Sequence, residues 1–179
     1  RPKTVYAESF HTRNAEIKLA RVNEMIQKSG EIESQIQAAR SNPKLKDAAD
    51  CAWLMSVQAT RPGSDRETGG NVKAYGATTL EGKHVKVGKD GTVRLKFIGK
   101  EGVPHDHVIR DPNLAKMLVQ RAETAGRNGR LFDTSAAKVN EFVGTLDGGH
   151  FSAKDFRTRR ANLLAVEVMA EYKSPPKNE

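Results

Sequence analysis

Cysteine is almost absent from this chain. Cys51 stands alone, so no internal disulfide can form, and the fold has to rest on a packed core in a reducing, cytoplasmic setting. No apolar stretch approaches the length of a membrane span and no signal peptide is visible, which argues against a membrane partner. No internal repeat or low-complexity tract appears. Acidic residues are in deficit, 22 against 30 Lys and Arg, and the net charge of +8 favours a polyanion as partner. His84, His105 and His107 have no cysteine companions and no helical ligand spacing, so a metal site is not expected. What is present is a chain of 179 residues with 37% hydrophobic content. That content is low, but it is clustered and periodic, which predicts a folded core in one domain or two small ones. The chain opens at Arg1 rather than methionine, as expected of a piece of something longer.

Residues 1–10 read as an extended leading segment or linker. Residues 12–28 carry Ala15, Ile17, Leu19, Val22, Met25 and Ile26 at a loose helical spacing. Ser29-Gly30 is expected to break that helix, and a second over 31–39 aligns Ile32, Ile36 and Ala39. A third, from 43 to 59, is the most apolar and should form the central core helix, with Trp53 partly exposed. Arg61-Pro62-Gly63 ends it, since proline disfavours a helical Arg61 and glycine permits the turn. Three strands follow over 83–87, 92–98 and 103–109, joined by Asp90-Gly91 and by Gly99-Lys100-Glu101-Gly102 as hairpin turns. Helices are then expected from Asp111-Pro112 to about 123, from a Ser135 cap to about 146, and from Ser152 to about 172. In the last, Ala161, Leu164, Ala165, Val168 and Met169 should face the core. The fold class is therefore α+β and mainly helical, with helical regions 11–60 and 111–172 around a small antiparallel meander at 83–110. Residues 175–179 form a polar tail.

Three basic residues stand at element ends: Arg61 after the core helix, Lys100 at a hairpin tip, and Arg157 in the first turn of the last helix. Each has an ordinary reading. Arginine suits a helix C-terminus, lysine suits an exposed turn, and Ser152-x-x-Asp155 is a capping-box pattern. Each also fits phosphate chemistry. Two guanidinium forks can hold the nonbridging oxygens of a pentacovalent phosphorus while a lysine protonates the leaving oxygen. The convergence of the three is an expectation from placement.

The order Arg61-Pro62-Gly63, Tyr75-Gly76-Ala77-Thr78-Thr79-Leu80, His84-Val85, Phe97-Ile98-Gly99-Lys100, Leu131-Phe132 and Ala153-Lys154-Asp155-Phe156-Arg157-Thr158 resembles the catalytic domain of type IB DNA topoisomerases of the small bacterial and poxvirus kind. Residues 6–19 are also similar to the start of that domain. The resemblance implies the helical catalytic fold shared with tyrosine recombinases, and cleavage and rejoining of duplex DNA through a 3′-phosphotyrosyl link. ATP, an obligatory metal and any other cofactor are not needed. It implies a monomer, in a bacterial or viral-type, nucleoid-associated setting. By motif match Arg61 and Arg157 are the two arginines and Lys100 the general acid. Lys154 and Asn162 are contacts to DNA, and Tyr75 positions backbone or DNA.

Departures accompany the match. The family's histidine and nucleophilic tyrosine fall beyond the Arg157 helix; His150 and Tyr172 do not match them and are read as structural. Glu67 and Thr68 occupy the region where a tyrosine is usual, and the N-terminal clamping domain is not in this sequence. This stretch alone is expected to bind DNA without forming the covalent link. Two other readings stand beside the first. A tyrosine recombinase would typically carry a histidine three residues before the second arginine, where Lys154 stands here. A non-catalytic DNA-binding module would lack the histidine and tyrosine altogether.

Overall fold

The computed structural model describes residues 8–64 and 73–171. Glu67, Thr68, Tyr172 and the 175–179 tail lie outside the described residues, as does most of the leading segment. Glu8, Ser9 and Phe10 are already helical, so no extended stretch runs to residue 10.

Six helices and one sheet make up the described chain. Among the residues of α1 (Glu8–Gln27) whose burial is described, Val22 and Met25 are buried, and the loose spacing leaves Ile17 and Leu19 in solvent. Ser29-Gly30 does not break the chain into turn. α2 (Ser29–Ala39) starts at once, with the change of direction taken up by Lys28 at φ −97° and ψ 18°. Ile32 and Ile36 are buried, as their spacing predicts. α3 (Lys46–Gln58) begins later than expected. The Asn42 side chain accepts from Lys44 N and its carbonyl from Leu45 N, so the residues after Pro43 form a turn first.

α3 is the centre of the core, with Ala48 through Met55 buried in unbroken succession. Trp53 is not partly exposed as expected but only 2% accessible. The guanidinium of Arg40, on the residue that ends α2, lies 4.1 Å from its ring centroid and covers it. α3 also buries a charge. Asp50 accepts from Arg40 Nε on one oxygen and from Arg121 Nε and Nη2 on the other, the latter two at 3.1 and 2.5 Å. Arg121 further donates to Asp47 Oδ1 at 2.6 Å and to the Leu131 carbonyl at 2.8 Å. Through Arg40 and Arg121, Asp50 thus ties α2, α3 and α4 (Pro112–Ala125) together, and Arg121 adds the segment at Leu131.

The sheet is an antiparallel meander, β1 (Val85–Val87), β2 (Val93–Ile98) and β3 (Pro104–Ile109) in that spatial order. Along β2 the alternation holds: Val93, Leu95 and Phe97 are buried. β1 is shorter than expected, because residues 82–84 form a 3-10 turn in which His84 Nδ1 accepts from the Glu81 amide at 2.8 Å. The Asp111 and Ser135 caps form as predicted, opening α4 and α5 (Ala136–Thr145). α6 (Ala153–Glu171) packs through its first turns only. Ala161, Leu164, Ala165, Val168 and Met169 are all exposed, Met169 to 73%, so the expected inward face of its second half is not buried among the described residues.

Candidate phosphate site

The α3 terminus is built to present Arg61. Ala59 closes the helix in the left-handed region at φ 54°, its amide bonded to the Met55 carbonyl. Thr60 is buried, and Arg61 emerges into solvent. The Arg61 and Pro62 carbonyls accept from the Ala77 and Thr78 amides at 2.8 and 2.7 Å. Thr78 Oγ1 adds a bond to the Pro62 carbonyl at 2.8 Å. Two sequence motifs distant in the chain therefore lie directly on each other. Their glycines permit it: a Cβ on Gly76 would sit 2.5 Å from Gly63 Cα and N. The residue before Gly76 carries the connection to the sheet, since the Tyr75 amide donates to the Ile98 carbonyl at 2.7 Å, at the foot of the Lys100 turn. The Tyr75 ring meets His84 edge-on at 4.3 Å, and Lys83 Nζ lies 3.4 Å from its hydroxyl.

Arg157 comes from the opposite end of the chain. Ala153, Asp155 and Phe156 are buried and fix the first turn of α6. Asp155 accepts from the amide and hydroxyl of Ser152, both at 2.8 Å, and from Arg21 of α1 at 3.0 Å. Half of the capping box forms: the Asp155 side chain reaches back to the Ser152 amide, while the Asp155 amide bonds the Ser152 carbonyl and not its hydroxyl; the anchored turn leaves Lys154 and Arg157, three residues apart, on one side. Lys154 is exposed and Arg157 half-buried. Arg159 goes elsewhere, to the Ser56 carbonyl at 3.2 Å, and clasps α6 to α3. Asn162 lies about 140° around the helix from Arg157 at 100° per residue, so it does not join that side.

Arg61 and Arg157 are neighbours. Burial lowers the Arg157 guanidinium below its ordinary value, and the Arg61 charge lowers it further. Neither arginine has an ion-pair partner among the described residues. Two guanidiniums within each other's field, without an ion-pair partner among the described residues, have the charge and donors to receive an anion. His105 belongs to the same neighbourhood: burial first, then the charges of Arg157 and Arg61, depress its imidazole. In the sequence it stands out only as a candidate metal ligand; the signal that places it here is its register opposite Phe97, two residues before Gly99.

Lys100 is not brought to the pair. Its ammonium is at the hairpin tip, 61% exposed and 3.4 Å from Glu101 Oε1. Burial pushes the Cys51 thiol up, and it takes no part. No group of three His, Cys, Asp or Glu is placed to hold a metal among the described residues, and no helix there is long and apolar enough to cross a membrane.

Residues 7–179 match the family described as eukaryotic DNA topoisomerase I, catalytic core. The DNA topoisomerase 1B of Acanthamoeba polyphaga mimivirus is 29% identical over 120 residues, covering 59% of this chain and 35% of that protein. The chain thus spans about a third of the length of that curated relative. With nearly the whole sequence inside the family match, the chain belongs to the catalytic-core family of DNA topoisomerase I.

Proposed function

We propose that this chain carries the phosphate-binding half of a type IB topoisomerase active site, which cleaves and rejoins one strand of duplex DNA and relaxes supercoils without ATP. The observation that carries the reading is that Arg61 and Arg157, nearly a hundred residues apart in sequence, lie within each other's field with no carboxylate paired to either among the described residues. A scissile phosphodiester between the two would place a nonbridging oxygen on each guanidinium. Charge that builds on those oxygens as phosphorus becomes five-coordinate is then met by donors already in place. A tyrosine oxygen, supplied by polypeptide outside these residues, forms the new bond to phosphorus as the bond to the 5′ oxygen breaks. Lys100 gives that leaving oxygen its proton, and the tyrosine proton passes to solvent or a neighbouring base. On religation the same groups act in reverse.

Lys100 has to turn inward for this. Its place on an exposed turn flanked by Gly99 and Gly102 supports such a movement, because little packing opposes it. Lys154 serves as a backbone contact beside Arg157, Asn162 as a more distal one, and Tyr75 as a brace for the Arg61 loop. The net charge of +8 supports binding to duplex DNA, as a monomer, in a cytoplasmic or nucleoid setting. The absence of histidine at position 154 favours this reading over a recombinase. Plasmid relaxation by the complete protein is the test. Relaxation in the absence of ATP supports the reading; no relaxation and no covalent DNA adduct leaves a non-catalytic DNA-binding module.

A further inference from the structure

His105, the second residue of β3, stands opposite Phe97 and lies flat on it, with ring centroids 4.7 Å apart and planes 10° from parallel. His107, two residues along on the same face, continues the stack at 5.3 Å. A hydrogen bond of 3.2 Å joins His105 Nδ1 to His107 Nε2. With Nδ1 engaged, the other edge of the ring meets the backbone of Gly99. A Cβ there would be 2.5 Å from His105 Nε2 and 2.6 Å from Cδ2. Gly99 has an ordinary φ of −92°, so the position asks for glycine because of this contact and not because of its backbone angle. Gly99 directly precedes Lys100.

The foot of the Lys100 turn is therefore held from three sides. The Gly99 amide donates to the Val103 carbonyl at 2.7 Å, the Tyr75 amide holds the Ile98 carbonyl, and the His105 ring closes the third side. Of these three, His105 alone is a side chain that also lies within the field of Arg61 and Arg157. Its chemistry suits the place. A cation there would add to the repulsion between the two guanidiniums, and a carboxylate would neutralise them and compete with phosphate. A neutral imidazole does neither, and it offers a flat face for Phe97.

We propose that His105 is a positioning residue for Lys100: stacked on Phe97 and seated against Gly99, it fixes the root from which Lys100 reaches a phosphate held by Arg61 and Arg157. The proposal rests on the phosphoryl-transfer reading above. His105 touches neither the DNA nor the reacting atoms; it acts through the turn. A misplacement of the general acid by about 1 Å is enough to lower a rate by about a hundredfold.

The test is single-turnover cleavage of a duplex oligonucleotide by the complete protein, with duplex affinity and thermal melting measured in parallel. His105→Ala should slow cleavage by about 10- to 100-fold and change affinity by less than about twofold. In a Lys100→Ala background the same change should cost little more, because the group it positions is gone. Gly99→Ala, which intrudes on the imidazole while leaving it present, should slow cleavage similarly and carries the test if His105→Ala fails to fold. The pH profile should keep its shape in His105→Ala, with the rate lowered evenly. Arg61, Arg157 and His107 are the charged or titratable groups facing the ring, and none of them is altered. Equal losses with and without Lys100, a lost limb of the pH profile, a matching loss of affinity, or no loss at all would each overturn the proposal. If the wild-type protein forms no adduct in this assay, the phosphoryl-transfer reading fails instead.

Discussion

Asp50→Asn removes one charge and almost no volume from the centre of the fold. The carboxylate is fully buried and receives three hydrogen bonds from Arg40 and Arg121, with Lys46 Nζ 3.4 Å away at the rim. Removing one member of a buried ion pair costs about 3–5 kcal/mol, because the other is stranded. Here the lower end applies, since Arg121 keeps Asp47 and the Leu131 carbonyl, and Arg40 keeps Gln37 and the Trp53 face. A loss of about 3 kcal/mol corresponds to a melting point lower by about 6–12 °C for a chain of this size. The pH dependence has a definite sign. Burial pushes the Asp50 carboxyl up, but the hydrogen bonds from Arg121 and Arg40 outweigh it and hold the group below the usual aspartate range. Its contribution is therefore complete above the unfolded value, about 3.9, and is lost as pH falls through the folded value. Urea unfolding followed by circular dichroism should show a large gap between wild type and Asp50→Asn at neutral pH that narrows in acid. A gap under about 0.5 kcal/mol at neutral pH, or one that widens in acid, would refute the account of this cluster.

Other perturbations address the site. Lys100→Ala should reduce cleavage by about 10²- to 10⁴-fold, the usual worth of a general acid, with duplex affinity nearly unchanged; an equal loss of affinity would make Lys100 a phosphate anchor. Arg157→Ala should weaken DNA binding and lower the salt slope by about one charge, read from affinity against salt concentration. Gly76→Ala would place a Cβ 2.7 Å from the Arg61 carbonyl as well as against Gly63. Overpacking of this kind costs about 1–3 kcal/mol, and cleavage should fall with stability as the Arg61 loop is displaced.

The parts of this fold legible in the sequence are those set by local chemistry. Asp111 and Ser135 open α4 and α5 because their oxygens accept from free amides of the first turn. The β2 alternation reflects a sheet with one buried face. The parts that were not legible depend on partners far away. Nothing near Trp53 announces that Arg40 will cover it, and nothing near Asp50 announces Arg121. Ser29-Gly30 reads as a break, but Gly30 lies in open space and Lys28 alone makes the bend. The stripe on α6 has the spacing of a core face, yet Leu164, Val168 and Met169 extend past the described core. At the site, the placement of Arg61, Lys100 and Arg157 at element ends was readable. That Arg157 lies within the field of Arg61 while Lys100 faces solvent depends on how the folded chain docks, including Arg61-Pro62-Gly63 on Gly76.

The most direct test of the central claim is to trap the complete protein on supercoiled plasmid with denaturant and map the linkage. The Arg61–Arg157 account predicts DNA joined to protein through a 3′ phosphate, with a free 5′ hydroxyl, and loss of this adduct in both Arg61→Ala and Arg157→Ala. An adduct that persists undiminished in both variants, or a link through the 5′ end, would contradict it.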